Sequence, residues 1–267
     1  GGEANGQGEI GGAHSPSLAS RSARALAPAG ATGPVYAARM TRAALVFHER
    51  DHALGVRNVG SIGPALRDRG FETTTFSFEG DSRDADRPTA SSFDLIVLMG
   101  SPDAAYDDSL PWLAEEITWL GDAVAQRVPV LGVCFGGQLL ARVLGGTVTR
   151  AAESEHGFVT VRTDDDVLIP PGPWMQFHDD TFTLPPGAEQ LATTAAALQA
   201  FVSGPHIGLQ FHPEVTVDVF ESWIEGWDAR GVRAEVEASV DVAAIRADVA
   251  RQEQASIEAC SRLIDAV

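Results

Sequence analysis

The sequence predicts an α/β fold in which an open, mostly parallel central sheet is flanked by helices and extended by a small antiparallel addition. The first observation is a set of short aliphatic and β-branched runs, such as residues 130–133, which suit buried parallel strands. The second is that these runs alternate with amphipathic segments, an order that implies right-handed crossovers and ligands at the carboxyl edge of the sheet. The third is a change to closely spaced short strands after Gly146, which is typical of antiparallel pairing.

The elements of the parallel part are expected in the following order. Continuous apolar runs predict strands at 43–47, 93–99 and 130–133, and an alternating pattern predicts one at 71–78. Apolar residues at helical spacing predict helices at 59–69, at 110–126 with Pro111 in the first turn, and from Gly136 onward.

The later part of the chain is divided by Pro- and Gly-rich turns. Strands are expected at 157–162, 174–177, 190–194 and 198–202, with 207–211 returning to the core, and helices at 215–227 and 232–267. We expect residues 1–39, which lack hydrophobic periodicity, to form a disordered leader, with Met40 as a plausible natural start. Residues 40–230 are expected to form one globular domain and residues 231–267 a C-terminal helical extension.

The composition excludes several classes of function. A formal charge of −18 argues against binding to nucleic acid, and no apolar run is long enough to span a membrane. The chain contains no lysine, which excludes lysine Schiff bases, pyridoxal phosphate attachment and the P-loop lysine. Its two cysteines give no disulfide framework, and a reactive thiol favours a reducing compartment, by default the cytoplasm. Cys260, in the last helical segment, is expected to be inert.

Cys134 stands between the strand 130–133 and the helix that follows it, in a turn flanked by glycines. Such an abrupt strand-to-helix turn exposes its central residue at the carboxyl edge of the sheet, and glycines remove the Cβ atoms that would obstruct it. The thiol also faces the positive end of the following helix, which favours the thiolate. The pattern therefore predicts a nucleophile elbow with cysteine in the serine position.

A thiolate that attacks an amide needs a base, and the base needs an orienting group. His212 directly follows the apolar strand 207–211, so its imidazole is expected at a strand end where it can meet a neighbouring elbow. Glu214, with Pro213 fixing the turn between them, can accept a hydrogen bond from the far ring nitrogen and stabilise the imidazolium. We therefore predict a Cys134–His212–Glu214 triad.

Residues 48–52 spell H-E-x-x-H, the zinc-protease signature, which works only on a helix. Here it continues the strand 43–47, Gly55 follows closely, and no third ligand is evident. We interpret the segment as a polar loop at the carboxyl edge of the first strand, bordering the active-site mouth, and predict no metal site.

The two motifs G-V-C-F-G-G-Q (132–138) and G-L-Q-F-H-P-E-V (208–215) together resemble the class I (triad) glutamine amidotransferases. The likeness is greatest to the amidotransferase domain of GMP synthetase and its stand-alone relatives, and it covers nearly all of residues 42–228. It implies a flavodoxin-like fold, with Cys134 as nucleophile, His212 as base and then acid, and Glu214 as the orienting group.

The resemblance also implies further site residues. The oxyanion donors would be the backbone amides of Phe135 and Ser101, although the family usually has G-G-P where this chain has Gly100-Ser101-Pro102. Residues implied in substrate binding are Gly100, Gln138, Glu155 and Gly157.

A second stretch departs from the family pattern. Residues 174–180 resemble the family's W-M-x-H-G-D, but Asp179 replaces the glycine and one residue is inserted. For His178 and Asp180 we therefore favour a structural role over a functional one.

The implied reaction is hydrolysis of the glutamine γ-amide to glutamate through a thioester on Cys134, with no metal or organic cofactor. Because no phosphate-cradling loop with lysine or acceptor domain is evident, we expect the ammonia to serve a separate synthetase. The alternative is a free-standing hydrolase of γ-glutamyl amides or peptides, which needs the same triad and a wider pocket. A non-catalytic regulatory module is disfavoured because the triad is complete.

Overall fold

The computed structural model describes residues 41–79 and 87–267, so the predicted leader lies outside the described residues. The strands are β1 Thr41–Phe47, β2 Phe71–Ser77, β3 Leu95–Leu98, β4 Val130–Val133, β5 Val148–Val159, β6 Arg162–Thr163, β7 Trp174–Phe182, β8 Glu189–Thr193, β9 Leu198–Ser203 and β10 His206–Leu209. The helices are α1 His52–Asn58, α2 Ile62–Asp68, α3 Leu113–Ala125, α4 Phe135–Val143, α5 Val217–Arg230, α6 Arg233–Ser239 and α7 Val242–Ala266.

The main sheet has the strand order β2-β1-β3-β4-β10-β9-β8-β6. The strands from β2 to β10 pair in parallel, and β9, β8 and β6 continue the sheet in antiparallel pairing. The strands β5 and β7 form a separate two-stranded antiparallel sheet. This arrangement confirms the predicted fold class, including the return of the chain through β10 to the parallel core.

Both faces of the central parallel strands β1, β3, β4 and β10 are buried, whereas the edge strand β2 is mostly only partly buried. Along β1, Ala43, Leu45 and Phe47 pack on one face and Ala44 and Val46 on the other. The first face is covered by α2 and α7, and the second by α3 and α4. Burial of each large apolar side chain contributes roughly 1.5–3 kcal/mol of stability. Packing on both faces therefore stabilises these strands and fixes the positions of their carboxyl ends.

The helix predicted at 59–69 is α2, which begins three residues later than predicted, at Ile62. Gly60, with φ of 53°, separates α1 from α2, and a Cβ there would lie 2.3 Å from the Glu214 carbonyl oxygen. The next residue, Ser61, donates its N–H to that oxygen at 3.1 Å. The break therefore fits the chain against the segment that carries Glu214.

The helix α1 begins within a segment predicted as a loop. Asp51 caps it, accepting hydrogen bonds from the N–H groups of Ala53 and Leu54 at 2.8 and 3.3 Å. Such a cap stabilises a short helix by about 1 kcal/mol.

The C-terminal helices pack on the rest of the described chain. α7 contacts α2, α5 and β5, and its residues Cys260 and Leu263 are buried in the first face of the core. Across residues 41–79 and 87–267, no helix has the length and apolarity that a membrane span requires.

Candidate active site

Cys134 occupies a strained turn between β4 and α4, with φ of 50° and ψ of −109°. A non-glycine residue is rarely found there, and such strain persists only where the surroundings enforce it. The Cys134 N–H donates to the Leu209 carbonyl at 2.9 Å, and the Gly136 N–H donates to the Met99 carbonyl at 3.2 Å. The turn is therefore anchored to the ends of both neighbouring strands.

The flanking glycines are required by close backbone contacts. A Cβ on Gly132 would lie 2.4 Å from the Gly136 carbonyl oxygen, and one on Gly137 would lie 2.2 Å from that of Leu209. These oxygens belong to the elbow and to the adjacent strand, so they cannot move without distorting the site.

Replacing Gly136 with alanine is expected to destabilise the fold, because the new Cβ would lie 2.2 Å from the Leu98 carbonyl oxygen. Overpacking of this kind costs typically about 1–3 kcal/mol and more where backbone must shift. The matched control is Gly121→Ala in α3, where nothing lies within 4 Å of the added Cβ. That change is expected to stabilise the helix by about 0.5–1 kcal/mol. Equal unfolding free energies for the two variants in urea titrations would contradict the assignment.

His212 lies just beyond β10 and is held by its own backbone, whose N–H donates to the Met175 carbonyl at 2.8 Å. Its Nδ1 lies 2.7 Å from Glu214 Oε1, and both side chains are buried. The Cys134 side chain lies close enough to the imidazole to help raise its pKa. The structure therefore brings together the three residues predicted from widely separated parts of the chain.

The environment of His212 favours the imidazolium. Burial lowers the pKa of His212, but the charges of Glu214 and Cys134 and their hydrogen bonds outweigh it and raise that pKa to about 10. At neutral pH the ring is therefore protonated beside the cysteine, the form needed to pair with a thiolate and to donate a proton.

A cavity of about 400 Å³ opens over this triad. Its lining also includes residues that the sequence analysis singled out, among them Gly100, Ser101, Phe135, Gln138, His178 and Asp180. Gly100 packs against the triad, since a Cβ there would lie 3.0 Å from His212 Cε1 and 3.8 Å from Cys134 Cβ.

A buried pair beneath the cavity was not foreseen from the sequence. His48 Nδ1 donates to the Gly100 carbonyl at 3.0 Å, and its Nε2 lies 3.0 Å from Glu116 Oε1. Both side chains are fully buried, and the His48 ring lies 4.6 Å from that of Phe135. Residues 48–51 form the predicted loop after β1, but the His48 side chain points into the core, where the Glu116 carboxylate and the Gly100 carbonyl satisfy both ring nitrogens.

The charge state of His48 follows from the same contacts. Burial lowers the pKa of His48, but the carboxylate of Glu116 and the Gly100 carbonyl outweigh it, so the pKa is raised. The neighbouring Glu49 lines the cavity, as the loop interpretation expected, and lies 3.8 Å from Arg230.

Glu155 and Gly157, predicted to bind substrate, are not among the described residues that line the cavity. The Glu155 carboxylate accepts from Gln199 Nε2 at 2.7 Å and Thr194 Oγ1 at 2.9 Å, and lies 3.3 Å from His178 Nε2. His178 lines the cavity, so the contact of Glu155 with the His178 ring links this carboxylate to the cavity. Direct contact between Glu155 and a substrate stays a prediction.

Comparison with known proteins places this geometry in context. Residues 55–225 match the family model described as "Glutamine amidotransferase class-I". A relative named "GMP synthase [glutamine-hydrolyzing]" from a Synechococcus strain is 41% identical over 133 residues, covering 46% of this chain and 24% of the relative. A relative of the same name from Thermomicrobium roseum is 41% identical over 127 residues, covering 45% and 23%. The chain thus spans about a quarter of the length of these curated relatives.

Solved structures resemble the fold over most of the chain. A glutamine amidotransferase from Thermotoga maritima superposes with a TM-score of 0.72 at 26% identity, covering 85% of this chain and 97% of that one. One from Methylobacillus flagellatus has a TM-score of 0.70 at 25% identity, covering 85% and 93%.

Proposed function

Because the chain belongs to the class-I glutamine amidotransferase family, we propose that it hydrolyses the γ-amide of glutamine through a Cys134–His212–Glu214 triad. Membership of the family implies amidohydrolase activity. The observation that carries the residue assignment is the meeting of a cysteine elbow, a buried imidazole and its carboxylate partner at one cavity.

In the first half of the reaction, the Cys134 thiolate attacks the γ-carbonyl carbon and forms a carbon–sulfur bond. The carbonyl π electrons move to the oxygen, giving a tetrahedral oxyanion. On collapse the carbon–nitrogen bond breaks, and His212 gives its proton to the departing nitrogen, which leaves as ammonia. Glu214 stabilises the imidazolium and fixes the ring orientation from Nδ1.

The backbone amides of Ser101 and Phe135 are proposed to donate to that oxyanion. Both residues line the cavity beside Cys134. The Phe135 amide opens α4, where the N–H groups of the first turn lack partners within the helix. A donor of this kind is worth about 3 kcal/mol of transition-state stabilisation.

In the second half, water replaces ammonia. His212, now neutral, takes a proton from the water as its oxygen attacks the thioester carbon, the carbon–sulfur bond breaks, and glutamate leaves. The cycle is then complete with the thiolate–imidazolium pair restored.

We further propose that the ammonia passes to a separate synthetase. The support is that relatives 41% identical to this chain over the matched residues are named "GMP synthase [glutamine-hydrolyzing]", a name that couples glutamine hydrolysis to a synthesis. The test is to measure glutamate and ammonia release by the purified chain alone and with candidate synthetases. Activation of glutamine turnover by one of them supports delivery, and equal turnover with and without every candidate counts against it.

The raised pKa of His212 predicts a pH dependence of stability. Its folded pKa of about 10 exceeds the ordinary 6.5, so protonated His212 stabilises the fold fully below pH 6.5, and this is lost as pH rises through about 10. The difference in unfolding free energy between wild type and His212→Gln is therefore expected to shrink steadily across that range. His48 is present in both proteins, so its contribution to the pH dependence cancels in this difference. A difference that stays constant with pH would contradict the ion-pair assignment.

A further inference from the structure

One side of the cavity is apolar in a way that the hydrolysis of glutamine does not require. It is lined by Phe177, Trp223, Trp227, Val232 and Val236, which we call the aromatic wall. The Phe177 ring stacks on Trp227 with centroids 5.4 Å apart and lies 5.8 Å from Trp223. Phe177, Trp223 and both valines are only partly buried, so they leave apolar surface at the cavity.

The position of this wall relative to His212 identifies what it faces. The Trp223 ring meets the His212 ring edge-on, with centroids 4.7 Å apart. In the proposed reaction His212 protonates the departing nitrogen, so any substituent on that nitrogen lies on the imidazole side of the scissile bond. The aromatic wall therefore borders the leaving group.

Part of the wall lies beyond the family match, since Phe177 and Trp223 fall within it but Trp227, Val232 and Val236 follow its end. Trp223 and Trp227 lie on α5, and Val236 lies on α6, whereas the family match ends at residue 225. Ammonia has no apolar surface to bury against such a wall. An aromatic or aliphatic substituent on the amide nitrogen does, and its burial would favour binding.

The rest of the lining suits the glutamyl end of such a molecule. Arg150, which is two-thirds exposed, lies 3.4 Å from Asp179, and Asp180 accepts from Tyr106 at 3.2 Å. A guanidinium and two carboxylates offer partners of both signs to an α-carboxylate and an α-amino group. The cavity volume of about 400 Å³ falls in the range of sites for drug-sized ligands, which are larger than glutamine.

We propose that the site accepts γ-glutamyl amides whose nitrogen carries an aromatic or aliphatic group, and releases that group as a free amine. This inference rests on the cysteine chemistry proposed above. The Cys134 sulfur bonds to the γ-carbon, the carbon–nitrogen bond breaks, and the His212 proton goes to the nitrogen, giving a neutral amine. Water then cleaves the thioester to glutamate, so no oxidant or co-reactant is needed.

The test compares three substrates with the purified full chain: glutamine, γ-glutamyl-ethylamide and γ-glutamyl-phenethylamide. Both amides release primary alkylamines, so a difference of about tenfold or more between them reports contact with the wall. We expect kcat/KM for the phenethylamide to exceed that for the ethylamide about tenfold or more. In Val232→Ser/Val236→Ser this ratio is expected to fall about fivefold, whereas the matched control Val167→Ser, at a valine 74% exposed, keeps it.

The outcomes separate this inference from the proposed function. Turnover of glutamine without preference for the phenethylamide overturns the substrate class and leaves the glutaminase proposal standing. Inhibition by the phenethylamide without amine release also overturns it. Absence of turnover for all three substrates overturns both proposals, and an unchanged ratio in the double variant overturns the role of the wall.

Discussion

Cys134→Ala is expected to abolish release of ammonia from glutamine while the chain remains folded. The substitution removes only the sulfur, keeps a Cβ at the strained φ of 50°, and leaves the anchoring backbone hydrogen bonds of the elbow in place. Loss of a nucleophile in a triad hydrolase lowers kcat by about six orders of magnitude. The measurement is a coupled glutamate assay, with circular dichroism and thermal unfolding to establish that the fold persists.

The matched control for this variant is Cys260→Ala, which removes the other cysteine of the chain. Cys260 is fully buried, and desolvation raises the pKa of its thiol to about 12, so it is not available as a thiolate. This control is expected to lose packing stability but to keep kcat for each folded molecule. Residual turnover in Cys134→Ala at the level of the control would end the assignment of the nucleophile.

The second large effect is expected from the His48–Glu116 pair, which touches no substrate. In a trans peptide the carbonyl of Gly100 and the N–H of Ser101 point in opposite directions. Because His48 holds that carbonyl from the core side at 3.0 Å, the Ser101 N–H is aimed toward the cavity. His48 is therefore a positioning residue for the proposed oxyanion donor, and its loss is expected to lower kcat about 100-fold, with little change in KM.

The pair is best tested by His48→Phe/Glu116→Leu. Replacing a buried ion pair with apolar groups of similar volume is often neutral for stability, whereas His48→Phe alone leaves a buried carboxylate and costs about 3–5 kcal/mol. We therefore expect the double variant to be more stable than the single one and yet to have the lowered kcat. A double variant with wild-type kcat would show that Gly100 is positioned without His48.

Sequence patterns were informative where a local feature demands particular residues. The elbow could be predicted because Gly132, Gly136 and Gly137 must lack Cβ atoms against neighbouring backbone. His212 could be predicted because a residue that closely follows a buried strand of a parallel sheet lies at the carboxyl edge, and His212 stands three positions after the end of β10. The parallel sheet could be predicted because strands buried on both faces need continuous apolar runs, and these runs alternate with helical segments along the chain.

The residues that sequence reasoning missed are defined by contacts between distant segments. His48 and Glu116 stand 68 positions apart, and neither position alone signals a buried pair. The H-E-x-x-H spelling drew attention to the right segment but could not show that His48 points into the core. The position of Val236 in the aromatic wall could not be predicted either, because the helical pattern of its segment does not show that α6 lines the cavity.

The central claim is that the sulfur atom of Cys134, activated by His212, bonds to the γ-carbon of the substrate. Its most direct test is labelling with an electrophilic γ-diazoketone analogue of glutamine, followed by peptide mass spectrometry. We expect one adduct for each chain, on Cys134 and not on Cys260, formed much more slowly in His212→Gln. Labelling of Cys260, no labelling at all, or equal rates in the two proteins would contradict the account.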